Sequence, residues 1–175
     1  MDPVRARDLD ALGHFYDRHA GNVREYCAVV CPAELVDEAT FVAFADFLGR
    51  LASADPDADL DDLLWKATRG AAAGRAEVRG EGRQTAASPR GPARTEPDAT
   101  CLAMPELLAA YASRELPRNG QLDRHLVGCA VCRATARRFR EAEGALTTTP
   151  RQEPPKFIRR AWLEIARSNG RAPKL

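Results

Sequence analysis

His125, Cys129 and Cys132 stand in an H-x3-C-x2-C pattern, and Cys101 lies 24 residues upstream. This cluster restricts the fold more than any other feature, because side chains of this chemistry, so spaced, converge on one point. On a single helix each residue advances about 100°, which puts positions 125, 129 and 132 within roughly a 60° sector. In a second geometry Gly128 ends one helix and Cys129 opens the next. Either way three ligands meet and a fourth is needed from elsewhere, for which Cys101 is the candidate. Three Cys and one His suit Zn²⁺ in a closed tetrahedral site. Two other readings compete. Cysteines also serve as small core residues. C-x2-C also occurs as a thioredoxin-type redox pair, but that motif belongs to a βαβ setting, and the surrounding sequence is helical and basic.

The chain has 175 residues, enough for one ordinary domain or two small ones. Asp2, Arg5, Arg7, Asp8 and Asp10 interrupt any apolar leader. No stretch nears the roughly 18–20 apolar residues of a membrane span. The expectation is a cytoplasmic protein with no membrane partner. In a reducing compartment, five cysteines favour metal binding or thiol chemistry over disulfides. The net charge of +1 conceals an asymmetry. Residues 1–79 carry 9 Lys/Arg against 15 Asp/Glu, and residues 147–175 carry 7 against 2. These ends, at −6 and +5, attract each other. The acidic first part also argues against strong non-specific DNA binding, which needs clustered cations.

The hydrophobic periodicity predicts an all-α chain with no strand. A first amphipathic helix covers about 7–28, with Leu9, Leu12, Phe15, Tyr16, His19, Val23, Tyr26 and Cys27 on its apolar face. Cys31-Pro32 breaks it. A second helix at about 33–52 is apolar around much of its circumference and therefore central. After a polar loop, Asp59 is the expected cap of a third helix at about 60–78. Residues 80–99 offer no large apolar side chain before the next unit and form an expected disordered linker. A second helical unit at 100–146 contains the ligand cluster, with Pro105 and Glu106 placed at a helix start. A second linker at 147–155 leads to a basic amphipathic tail, 156–175, whose stripe includes Phe157, Ile158, Trp162 and Ile165. That stripe docks either on the protein's own helices or on a partner.

The segment from Cys101 to Cys132 resembles the zinc-binding anti-sigma domain. Glu106-Leu107-Leu108, Tyr111, Leu116 and then H-x3-C-x2-C follow that family's order. The resemblance covers about 45 residues, and it implies that Cys101, His125, Cys129 and Cys132 are the zinc ligands. It also implies contact with a sigma factor that blocks the factor's access to RNA polymerase, and in some members zinc release on thiol oxidation. The residues themselves agree with a structural or switching zinc. Four protein ligands close the shell, and Arg124 and Arg133 flank a site whose three thiolates and Zn²⁺ carry a net −1.

Residues 9–79 are similar to region 2 of extracytoplasmic-function sigma factors in the order of their three helical stretches, ending in LLWKATRGAAAGRAE. The resemblance implies that Glu34, Asp37 and Glu38 face the polymerase core, and that Trp65, Lys66, Arg69 and Arg75 lie towards promoter DNA. No region 4 helix-turn-helix follows, and the zinc module occupies that place. His14 and His19 read as ordinary helix residues. Cys27 and Cys31 are four apart, and Pro32 is expected to disturb that geometry, so small core residues are the expectation and a thiol pair the alternative. The expected protein is a two-module, zinc-binding regulator of transcription initiation. It contacts a sigma factor in cis or in trans, or the RNA polymerase core. An initiation protein on −10 promoter DNA and a thiol/zinc redox sensor are the alternatives. The sequence shows no open metal site, phosphate-binding glycine loop or nucleophile–base pair, so neither an enzyme nor a small-molecule substrate is expected.

Overall fold

The computed structural model describes residues 2–76, 99–117, 120–148 and 153–168. Among them there are helices and no strand, in agreement with the all-α expectation. Helix α1 (Leu9–Val30) starts where the Asp8 carboxylate accepts the Ala11 N–H at 2.8 Å. It ends at Cys31, which turns extended ahead of Pro32. Ala33–Leu35 form a short 3-10 turn rather than the start of the expected second helix. Helix α2 (Val36–Ser53) follows, then α3 (Leu60–Ala73). The Asp59 side chain caps α3 as expected, accepting from the Asp61 and Asp62 N–H groups. Helix α3 is shorter than the sequence implied, and its cap residue is Gly74.

The later helices are α4 (Ala99–Leu102), α5 (Pro105–Ala112), α6 (Gly120–Gly128), α7 (Ala130–Ala145) and α8 (Lys156–Arg167). The expected linker at 80–99 lies outside the described residues except for Ala99, the first residue of α4. Residues 149–152 of the second linker and 169–175 of the tail lie outside them too.

Helices on the two sides of residues 80–99 share one buried cluster. Helix α2 packs on α3, α7 lies along α1, and α5 packs on both α7 and α3. Asn22 of α1, itself buried, donates to the carbonyls of Ala145 and Thr148, both at 2.6 Å. It thereby satisfies a carbonyl at the end of α7 that the helix leaves unpaired. The two parts expected as separate modules thus bury their apolar faces against each other.

Helix α8 covers α1 and α2. Ile158 and Trp162 are fully buried and Ile165 nearly so, while Phe157 is 57% exposed. The Trp162 indole N–H donates to the Phe44 carbonyl at 2.8 Å, and its ring lies 5.4 Å from Phe44 and 5.5 Å from Tyr16. This contact meets both needs of a buried Trp, an apolar body in a core and a partner for its polar tip. The charge asymmetry has one local counterpart here, since Arg159 pairs with Asp17 of α1 at 2.7 Å. The tail stripe is therefore docked on the protein's own helices, except at Phe157.

Candidate metal centre

The ligand cluster is assembled from three short pieces of backbone. Cys101 sits on α4, His125 on α6, and Cys129 at the break between α6 and α7, where it is the N-cap residue with φ −118° and ψ 109°. Cys132 lies in the first turn of α7. Of the two geometries open to the sequence, the broken helix is the one adopted. The break is slight, because the Cys129 N–H still donates to the His125 carbonyl at 2.9 Å. Arg133 braces it, donating through Nη1 to the Leu126 and Val127 carbonyls at 2.8 and 2.9 Å. Tyr111 of α5 fastens α6 by donating to Asp123 at 3.0 Å.

One ligand atom from each of Cys101, His125, Cys129 and Cys132 lies within 4.8 Å of all the others. The Cys101 and Cys129 sulfurs are 3.6 Å apart. A tetrahedron with Zn–S legs of about 2.3 Å has edges of about 3.8 Å, so this spacing fits a shared ion. The three thiols are buried, and His125 Nε2 is a buried ring nitrogen with no hydrogen-bond partner. A buried imidazole nitrogen without a partner is costly unless something binds it, and a metal ion meets that need. Burial, and then the neighbouring Cys101 and Cys129, push the Cys132 thiol well above its ordinary range. Thiols enclosed together in this way ionise readily only around a cation. The donor set therefore fits a metal ion of the soft or borderline class.

The other sequence-predicted residues are not gathered into one site. Glu34 is exposed on the 3-10 turn. Asp37 pairs with Arg24 at 3.0 Å, and Glu38 with Arg75 at 2.8 Å. Trp65 is half-buried, edge-on to His19 with ring centres 5.4 Å apart. Lys66 is exposed. Arg69 turns towards the helices that follow residue 99. Its Nε and Nη2 grip both oxygens of Glu143 on α7 at 2.9 and 2.8 Å, and its Nη1 reaches Glu115 at 2.8 Å. Tyr26 of α1 donates to the same Glu143 at 3.2 Å. Burial alone would lower the Arg69 pKa, but the hydrogen bonds and charge of Glu143 outweigh it and hold the guanidinium above its ordinary value. Burial first, and then Glu143, push the Tyr26 phenol up. Sequence reasoning missed this network. Its members lie as far apart as 117 positions, and no local pattern announces it.

No family model, curated protein or solved structure matches this chain.

Proposed function

We propose that this chain is a zinc-stabilised regulator of transcription initiation that acts by protein–protein contact in the cytoplasm. Zinc is held by Cys101, His125, Cys129 and Cys132 and serves a structural role, since four protein donors leave no open coordination position. The observation that carries this reading is the buried Cys3His cluster on short helices, in a segment with the order of residues of zinc-binding anti-sigma domains. The sigma-like target lies in the same chain. Helices α5 and α7 pack on α3 and α1, and Glu143 and Glu115 enclose Arg69, a residue that the sigma resemblance directs towards promoter DNA. This packing favours regulation in cis over a free initiation factor.

The test uses the full chain and purified bacterial core RNA polymerase. The zinc-loaded wild type binds core weakly. Glu143→Ala, or removal of zinc with a chelator, releases Arg69 and its helix and strengthens binding at least several-fold. If core binding is absent in every state, the sigma-like reading of the first three helices fails. If wild type and Glu143→Ala bind equally well, self-docking fails.

A further inference from the structure

The metal cluster uses three of five cysteines, and the other two form a site of their own. We propose that Cys27 and Cys31 are a redox-active dithiol that a hydroperoxide converts to an intramolecular disulfide, independently of the metal centre. The Cys31 N–H donates to the Cys27 carbonyl at 2.8 Å. The two residues are thus one helical turn apart, about 6 Å along the axis, a separation a disulfide can span. Each thiol acts on the ionisation of the other. Pro32 leaves this geometry intact, because it acts on the residue before it through ψ, and Cys31 keeps its N–H in the last turn of α1. The extended ψ of 156° turns the Cys31 thiol to the end of α3, where it donates to the Ala72 carbonyl at 3.7 Å, with the Arg75 cation acting on it.

The two thiols are unequal, as attacking and resolving cysteines must be. Cys27 is fully enclosed, while Cys31 retains 8% exposure. The Cys27 thiol lowers the Cys31 pKa, burial opposes that, and Arg75 adds to the lowering, so Cys31 lies below the ordinary thiol value. The Cys31 thiol, together with burial, holds Cys27 well above it. Cys31, the sulfur with some exposure, is then the one that gives up its proton and attacks the peroxide oxygen. The O–O bond breaks, an alcohol or water departs with a proton, and Cys31 becomes a sulfenic acid. The Cys27 thiol attacks that sulfur, the S–S bond forms and water leaves. Two thiols lose two electrons and two protons, and the peroxide is reduced by the same two electrons. The disulfide forms at the corner where α1, α2 and α3 meet, beside the Arg75–Glu38 pair.

Tryptic digestion separates the sites, because Glu25–Arg50 contains Cys27 and Cys31 and no other cysteine. The reduced, zinc-loaded chain is titrated with hydrogen peroxide, denatured in iodoacetamide and digested. The expected result is a Glu25–Arg50 peptide that is unalkylated, two hydrogens lighter than its dithiol form and restored by dithiothreitol. It accumulates before the peptides carrying Cys101, Cys129 and Cys132 are oxidised. In Cys27→Ser, dimedone labels Cys31. The isolated synthetic Glu25–Arg50 peptide is the reference should that variant fail to fold. A doubly alkylated Glu25–Arg50 peptide persisting while the ligand cysteines oxidise overturns the proposal. So does a disulfide that forms no faster in the folded chain than in the isolated peptide.

Discussion

Removing Glu143 should loosen the joint between the first three helices and the helices around the Cys/His cluster, by an amount that the geometry allows one to work out. Glu143 accepts two parallel hydrogen bonds from Arg69 and one from Tyr26. The Arg69 and Glu143 side chains are 16% and 22% exposed, so solvent screens the pair only in part. Hydrogen bonds to charged groups contribute about 1.5–3 kcal/mol each. Truncating one partner of a fully buried pair costs about 3–5 kcal/mol. Because Glu115 still neutralises Arg69 and both side chains reach water, Glu143→Ala should cost about 2–3 kcal/mol. Glu143→Gln keeps acceptor oxygen for Tyr26 and Arg69 but loses the charge, and should cost about 1–2 kcal/mol. Urea unfolding at constant excess zinc measures both. A double-mutant cycle with Arg69→Met should give a coupling of at least about 1 kcal/mol, as expected for contacting charged groups. A coupling below about 0.3 kcal/mol, the range of independent sites, would refute the claim that Arg69 and Glu143 hold the two parts together.

Three further outcomes are expected. Trp162→Ala should destabilise the protein by about 3–5 kcal/mol in the same assay, while the exposed Phe157→Ala should change stability by no more than about 0.5 kcal/mol; equal effects would contradict the docking of α8. Chelating the metal, or Cys129→Ser, should abolish hydrogen-exchange protection in α4 and α6 while α2 keeps its own, because the ligands lie on the later helices and none on α2; uniform loss would show that the metal holds the entire fold. Burial holds His19 below its ordinary pKa despite the opposing charge of Asp61. The unfolded chain therefore binds the proton first, and the stability due to neutral His19 is complete above about pH 6.5 and lost as pH falls through the lower folded value. His19→Gln should flatten this limb relative to wild type between about pH 7 and 5, both zinc-loaded, and unchanged pH dependence would contradict it.

What was legible in the sequence was what is local. The ligand spacing, the Asp59 cap, the break at Pro32 and the amphipathic stripe of α8 each involve residues within a few turns, and each appears in the fold. The stripe announced that α8 needs cover, but the cover, Tyr16 and Phe44, lies more than a hundred residues away. Arg69 was assigned towards DNA from its place on a helix, and periodicity cannot reveal that α7 brings a carboxylate to it from 74 residues on. Cys27 and Cys31 are the buried core residues that the sequence implied, and only the effect of Pro32 differs. Proline was expected to disturb the turn before it, whereas its steric effect reaches only the ψ of Cys31 and leaves the Cys31 N–H in the helix.

In the function proposed, Cys101, His125, Cys129 and Cys132 hold one zinc ion that organises the later helices. X-ray absorption at the zinc edge, on protein purified under reducing conditions and quantified for metal, tests it most directly. The expected result is one zinc per chain with three sulfurs at about 2.3 Å and one nitrogen at about 2.0–2.1 Å, the nitrogen lost in His125→Ala. Less than stoichiometric metal, or a shell dominated by oxygen, would contradict it.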